Sequence, residues 1–298
     1  QLGVDYVHET VEGSKILDSL ASIYHFSLFT QSSFELTNKL TTQFGIRLPF
    51  HSSYSANLIP SLHFKYDMNT ENQLRLSYSR GFRSPTIKEL FMEFIDINHN
   101  IVGNSDLKPE RSNAFQLSLS LIPKINDKIY SSFNIEGFLN FLDNKIELAR
   151  IQNTDSYTYY NLEKSTYYGT NTFLKLDFKS QLNTVSSFNF MWNMFHIDNS
   201  SFNYNKARHN LSFAYKFEYE ECNCGLNLNW RIKSKFEYQS YNDQNELVVF
   251  EQSGYELLNL NLYKEYDKIN SSLIFGVKNL LDVTDVNYAM QDDIHSGD

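Results

Sequence analysis

The sequence predicts an all-β protein, and within that class a transmembrane antiparallel β-barrel. Apolar and polar residues alternate with period two along nearly the whole chain. Short and long polar connections mostly alternate between these segments, and the predicted strands of about 10 to 15 residues exceed the globular average of about 5 or 6. Aromatic residues make up 15% of the chain, which favours strands over helices.

One segment shows the alternation clearly. In QLRLSYSRGF the apolar residues are Leu74, Leu76 and Tyr78, and the polar residues are Arg75, Ser77 and Ser79. Period two fixes which set shares a face, because successive side chains of a strand point to opposite sides. In a membrane barrel the apolar set faces lipid. We therefore predict that Arg75, Ser77 and Ser79 face the lumen.

The lengths of the connections indicate which rim of the predicted barrel lies outside the cell. Outer-membrane barrels keep short turns on the periplasmic rim and long loops outside, so every second connection falls on the same rim. A soluble β-sandwich would also alternate but has no reason to sort its loops by length. The long connections are predicted near 9–21, 51–57, 81–110, 153–156, 197–206, 239–252 and from 281 onward.

About thirteen strands are predicted, and residues 1–298 are read as one partial barrel domain. A single-chain bacterial barrel closes with an even number of strands. The odd count and the polar ending QDDIHSGD predict a barrel cut at both ends. The strands are expected near 2–8, 22–36, 39–50, 58–68, 72–80, 111–122, 128–150, 157–181, 185–196, 207–219, 224–238, 253–264 and 269–280.

Charge and composition exclude several functions. The formal net charge is -9, from 26 Lys and Arg against 35 Asp and Glu, which excludes a basic nucleic-acid binder. No stretch approaches the roughly 18 to 20 apolar residues of a membrane helix. No G-x-S-x-G, H-E-x-x-H or comparable cluster is present, so an enzyme is not expected.

Cys222 and Cys224 are predicted to be plain turn residues in the string EYEECNCG. A metal site would need further ligands, and nothing nearby supplies a second C-x-C or a His pair. A disulfide across so short a ring would be strained.

The connection 81–110 differs in kind from the others. Ser84 followed by Pro85 is predicted to be an N-cap with proline at the first helical position. Ile87, Leu90, Phe91 and Phe94 fall at helical spacing, which predicts a short amphipathic helix. Asn104, Ser105 and Asp106 are predicted to form a turn before the next strand.

The same connection carries two motifs. The first is the run from Tyr78 to Pro85, followed by Lys88, Glu89 and Leu90, and the second is the run from Gly103 to Glu110. Together they resemble the barrel of TonB-dependent outer-membrane receptors, in which a Phe-Arg-Ala-Pro type box and an Asn-Pro-Asp-Leu-x-Pro-Glu type box share one extracellular loop. The matching residues are Phe82, Arg83, Ser84, Pro85, Glu89, Leu90, Asn104, Asp106, Leu107, Pro109 and Glu110. Ser84 and Ser105 depart mildly from the family pattern.

The resemblance implies a 22-stranded barrel in the Gram-negative outer membrane. FGVKNLLDVTD is similar to the family's next-to-last strand. Counting back from it makes the first strand here the ninth, and the connection 81–110 the seventh extracellular loop. The plug, the energy-coupling box and the last strand of the family are not found in this sequence.

The implied function is uptake of an iron chelate, either a siderophore or haem, with no resident cofactor. The implied partners are that ligand, the outer-membrane lipid and, through the plug, the TonB complex. A cobalamin receptor of the same family and a soluble carbohydrate-binding β-protein stay open as alternatives. Candidate ligand-binding residues are Arg83, Asn98, His99 and Asn100, and His99 is a possible axial haem ligand because imidazole is a common haem donor.

Overall fold

The computed structural model describes residues 1–55, 57–96, 100–123, 126–151, 154, 156–180, 184–199, 204–241 and 247–284. Most of them lie in β-strands, which confirms the predicted all-β fold class. Antiparallel pairing joins thirteen of the described strands along one continuous path. None of the helices in the described ranges is long and apolar enough to cross a membrane.

The strands of the main path lie close to their predicted positions. Along the path they are β1 (Leu2–Glu12), β2 (Leu20–Thr37), β3 (Leu40–His51), β4 (Ile59–Asp67), β5 (Gln73–Arg83), β8 (Glu110–Leu121), β9 (Ile129–Arg150), β10 (Tyr157–Lys179), β11 (Thr184–Asn199), β12 (Tyr204–Tyr219), β13 (Cys224–Lys233), β16 (Tyr255–Tyr266) and β17 (Ser271–Val277). Neighbours in this order are hydrogen-bonded, so most strands pair with the strand next to them in sequence.

Two connections contain structure that the alternation does not predict. The connection between β5 and β8 holds the helix α1 (Ile87–Phe91) and two short strands, β6 (Glu93–Ile95) and β7 (Asn100–Val102). The connection between β13 and β16 holds an antiparallel hairpin of β14 (Phe236–Tyr241) and β15 (Leu247–Gln252). The prediction of one strand over 224–238 and a plain connection over 239–252 was therefore wrong. The strand β13 ends at Lys233, and the next extended segment, β14, pairs with the nearby run LVVFEQ.

The strand register puts apolar and polar residues in separate rows. Ser77 is paired with His63 on one side and Gln116 on the other, and its hydroxyl donates to the Gln116 side chain at 3.4 Å. One residue along, Leu76 is paired with Phe64 and Leu117. Leu76 and Leu117 are 47% and 51% exposed, as expected for side chains that meet lipid. The period-two prediction for this part of the sheet is confirmed.

The cysteine turn follows β12. A 3₁₀ turn over Glu220–Cys222 leads into Asn223 in the left-handed region, with φ 48°, and β13 begins at Cys224. The turn prediction is confirmed, but the structure also joins Cys222 and Cys224 by a disulfide, with their Cα atoms 5.2 Å apart. The prediction of plain turn residues did not include this disulfide, and the left-handed Asn223 lies between the two bonded cysteines.

Candidate functional site at the loop between β5 and β8

The candidate site is the connection 84–109, which we call the mouth loop. It leaves the sheet after Arg83, the last residue of β5, and returns at Glu110, the first residue of β8. Arg83 and Glu110 are cross-strand partners in the antiparallel pairing of β5 and β8. The two sequence boxes therefore meet at the base of the loop, although 27 positions separate these residues in sequence.

The Arg83 guanidinium binds two carboxylates. Its Nε and Nη2 donate to the two oxygens of Glu110 at 2.8 and 2.7 Å, and its Nη1 donates to both oxygens of Glu89 at 3.1 and 3.0 Å. The carboxylates are only 15% and 17% exposed at Glu89 and Glu110, whereas Arg83 is 41% exposed. Such bidentate, charge-assisted pairs are the strongest hydrogen bonds available to side chains.

Glu110 also joins the loop base to the next strand. Its Oε1 accepts from the backbone N–H of Ile146 at 2.8 Å. Glu110 is the residue of β8 farthest from the short turn, beyond the roughly 9 to 11 residues that a strand needs to cross a bilayer. Burial alone would raise the pKa of Glu110, but the bonds from Arg83 and Ile146 outweigh it and lower the pKa. The carboxylate is therefore held in its charged form.

The helix begins two residues later than predicted. Thr86 is the N-cap, and its hydroxyl accepts from the Glu89 backbone N–H at 3.2 Å while the Glu89 carboxylate accepts from the Thr86 backbone N–H at 2.7 Å. The prediction of Ser84 as N-cap was wrong, because only Thr86 has a glutamate three residues later to complete a capping box. Phe94 was also assigned to the helix but lies in β6.

The helix packs on two small apolar clusters. Ile87 is 4% exposed and contacts the buried Ala21 and Ile23 of β2. Leu90 is 3% exposed and contacts Leu107 and Ile146. The predicted amphipathic face is therefore buried, and it fixes the helix against strands on both sides of the β5–β8 pair.

The second box docks on β10 through side-chain amides. The Asn104 amide donates to the Tyr159 carbonyl at 2.9 Å. The Asn161 side chain accepts from the Lys108 backbone N–H at 2.8 Å and donates to the Lys108 carbonyl at 2.9 Å. Asn161 also donates to the carbonyl of Asn144, a left-handed residue within β9 with φ 57°. One amide thus holds the loop, β9 and β10 together.

Gly103 lets the two halves of the loop approach closely. A Cβ at this position would lie 2.7 Å from the carbonyl carbon of Leu90 and from the backbone nitrogen of Phe91. The neighbouring backbone continues the contact, since the Asn104 N–H donates to the Glu89 carbonyl at 2.9 Å. The helix end and the second box are therefore in direct backbone contact.

The mouth loop reaches sideways to distant strands. On one side Met92 bridges to Ile16, which precedes β2, and the Lys15 ammonium lies 3.8 Å from the Phe94 ring centroid. On the other side β7 pairs in parallel with β10, with Ile101 opposite Tyr157. The loop therefore extends across the strands that separate β2 from β10.

Two cavities lie along the polar face. One of about 360 Å³ lies between the mouth loop and the first strands of the main path. Its lining includes Asp5, Arg47, His25, His51 and Thr86. Asp5 and Arg47 form an ion pair at 3.3 Å there, and the His25 and His51 rings lie 5.0 Å apart. The second cavity, of about 630 Å³, lies nearer the short turns and is lined by His63, Lys65, Arg75, Ser77, Gln116 and Glu136, among others.

The structure places the predicted site residues as follows. Arg83 is bonded to Glu89 and Glu110, so its role in the described structure is to hold the loop. Asn100 is the first residue of β7, opposite Ile95 of β6. Asn98 and His99 lie outside the described residues. Arg75, Ser77 and Ser79 lie on the same side of β5 as Arg83, which holds the mouth loop. Our assignment of this face to the lumen stays a prediction.

The remaining motif residues serve the loop's own structure. Pro85 and Leu107 are almost completely buried, and the Asn104 side chain accepts from the Asp106 backbone N–H at 2.9 Å. Phe82 and Ser84 line the cavity of about 360 Å³ next to the loop. Sequence reasoning missed Thr86 and Asn161. The T-x-x-E pattern could have revealed Thr86, whereas no local signal marks an asparagine more than 50 residues from its partner.

Comparison with known proteins identifies the family. Residues 11–280 match the profile of the family described as TonB dependent receptor-like, beta-barrel. The chain belongs to this family. TonB-dependent receptors are outer-membrane transport proteins, and the assignment confirms the predicted family, its location and the partial barrel.

Individual proteins that are similar to this chain are consistent with the family assignment. Over 124 residues, 39% of the chain, the sequence is 29% identical to the iron-regulated outer membrane virulence protein of Vibrio cholerae. Among solved structures, the chain resembles the ferric enterobactin receptor PfeA of Pseudomonas aeruginosa at a TM-score of 0.70 and 18% identity, and the siderophore receptor PirA of the same species at 0.66 and 17%.

The matches cover different shares of these proteins. The similarity to PfeA and PirA covers 94% and 95% of this chain but 46% and 48% of those chains. The Vibrio match covers 19% of that protein. This chain therefore spans less than half the length of the receptors it matches.

Proposed function

We propose that this chain forms part of the barrel sheet and an outer loop of an outer-membrane receptor that takes up an iron chelate. The observation that carries the proposal is the polar face of the sheet, which forms two cavities, one of them against a loop that the Arg83 ion pairs hold in place. The names of the similar proteins support it, since they are iron-regulated or bind ferric siderophores. The proposed partners are the chelate and, through other parts of the receptor, the TonB complex.

The geometry suggests separate roles for the mouth loop and the second cavity in this uptake. The mouth loop is fixed by the Arg83 ion pairs and by the Asn161 amide, so it serves as a rigid frame at the outer end of the wall.

The second cavity supplies hydroxyl, amide, cationic and carboxylate groups, with Lys65 directly opposite Arg75 and Glu136 in the same lining. The Lys65 ammonium already forms an ion pair with Asp67 at 2.9 Å, whereas Arg75 donates to the neutral Gln73 side chain at 3.0 Å. Arg75 is therefore the cation that we propose for contact with an anionic ligand.

The identity of the chelate is proposed at a finer level from the named relatives. Ferric siderophores and haem with its propionates can both be anionic, so charge alone does not separate them, and we place the siderophore first because the similar solved structures are siderophore receptors. Haem uptake rests on His99 as an axial ligand. Cobalamin lacks the net negative charge that Arg75 favours, so it ranks third.

Titration of the full-length receptor in detergent tests the proposal. A ferric catecholate, haemin and cyanocobalamin are added separately, with binding followed by calorimetry and, for haemin, by Soret absorbance. We expect the ferric catecholate to bind, and Arg75→Gln to weaken binding several-fold while the lipid-facing Leu76→Ile does not. Binding of haemin alone, with a Soret change lost in His99→Ala, would replace the siderophore with haem. Binding of none of the three would overturn the proposal.

A further inference from the structure

The apolar wall has a gap at Gly137. Cross-strand pairing aligns one row of residues on this face, and each member except the glycine has a side chain. The row consists of Leu76 on β5, Leu117 on β8, Gly137 on β9, Thr170 on β10 and Met194 on β11. The neighbouring row toward the loops includes Leu139 and Tyr168, which are also cross-strand partners. A single missing side chain therefore leaves a depression between two rows of bulky residues.

The depression is a groove of about 340 Å³. Its walls come from Leu117, Phe115, Leu139, Tyr168 and Met194. At its outward end the Tyr168 ring is stacked on His196, with the ring centroids 4.6 Å apart. An apolar groove with a ring pair of mixed polarity at one end suits the boundary between hydrocarbon and headgroups.

The fold itself does not require glycine at this position. A Cβ at Gly137 would have only one atom within 4 Å, the Gly169 carbonyl oxygen at 4.0 Å. By contrast, Gly225 is required by its surroundings, since a Cβ there would lie 2.3 Å from the backbone carbonyl oxygen of Phe217. Glycine inside a strand weakens it, and it often marks a place where another molecule approaches closely. The described residues of the chain therefore give no steric reason for glycine at position 137.

We propose that the groove at Gly137 binds one acyl chain of an outer-membrane lipid. This apolar face is the one that we predict to meet the membrane, where hydrocarbon is the molecule that surrounds it. The groove is one side chain wide and lies between protruding rows, which a flexible hydrocarbon chain can enter. A second barrel would present a rigid strand surface that the flanking Phe115 and Tyr168 side chains hold away. The proposal depends on the membrane location and on the predicted assignment of the two sheet faces, and not on the transported ligand.

Photolabelling of the full-length receptor tests the groove. The receptor is reconstituted in phosphatidylethanolamine and phosphatidylglycerol vesicles that contain a phospholipid with a diazirine in its acyl chain. After irradiation and digestion, mass spectrometry maps the label. We expect label to concentrate several-fold on β8, β9 and β10 around Leu117, Leu139 and Thr170, relative to the other lipid-facing strands.

Variants then separate groove binding from general contact with lipid. Gly137→Leu fills the groove and is expected to reduce this label several-fold, with Gly137→Ala between it and the wild type. Ser32→Leu adds the same side chain to the lipid-facing side of β2 and is expected to leave the label unchanged. Heat-modifiable migration on a gel confirms that each variant is folded. Uniform label over the wild-type wall, equal label in Gly137→Leu, or receptor-to-receptor crosslinks through the groove would overturn the proposal.

Discussion

The apolar face of the sheet, here called the wall, and the mouth loop are built on different principles. In the wall, Leu76 and Leu117 are exposed residues in a repeated row, and another apolar residue of similar size would serve as well. In the loop, one guanidinium binds two carboxylates and one amide binds two backbone segments. The wall depends on a pattern, whereas the loop depends on the identity of single residues.

The largest effect is expected from a charge on the wall. Leu76→Arg in the full-length receptor is expected to lower the free energy of unfolding by about 2 to 4 kcal/mol near the middle of the bilayer. Ser77→Arg, one residue along, is expected to cost much less because the polar face tolerates charge. Urea titration in vesicles, followed by heat-modifiable migration, measures both. Equal losses would contradict the assignment of the two faces.

The wall is also the part that sequence alone predicted well. Period two located all thirteen strands of the main path, because a sheet with one apolar and one polar face requires its side chains to alternate. The loop was predicted only in outline, since its contacts join residues that are distant in sequence. Arg83 illustrates the limit: the motif marked it as important and as a ligand-binding candidate, but only the fold shows the two carboxylates that occupy it.

Removing the Arg83 pairing should release the loop while the wall remains folded. Glu110→Gln keeps the size of the side chain but loses the charge, and we expect a cost of about 1.5 to 3 kcal/mol for bonds of this charged type. The measurement is hydrogen exchange of the backbone amides in the mouth loop, which should become faster. Glu93→Gln, an exposed carboxylate on the same loop, serves as the control. Faster exchange in both variants would show that charge in general, rather than this pair, holds the loop.

A smaller effect is expected at Asn161. Asn161→Ala leaves the Lys108 N–H and the Asn144 carbonyl without their side-chain partner, at a cost of about 1 to 2 kcal/mol. Limited proteolysis of the folded receptor should then cut near Lys108 sooner than in the wild type. Glu163→Gln changes an exposed neighbour on the same strand and should leave the cleavage rate unchanged. An unchanged rate in Asn161→Ala would mean that the Arg83 pairs alone fix the second box.

The smallest effect separates the two candidate caps of the helix. Thr86→Ala removes the hydroxyl that accepts from Glu89, and the loss of such a cap costs about 1 kcal/mol. Because the helix has only five residues, that loss should open its single turn, and the amide of Leu90, which donates to the Thr86 carbonyl at 3.1 Å, should exchange faster. Thr86→Ser keeps the hydroxyl and should retain most of the protection. Ser84→Ala tests the cap that the sequence first indicated, and its exchange at Leu90 should match the wild type. Faster exchange in Ser84→Ala than in Thr86→Ala would restore Ser84 as the cap and would contradict the capping box.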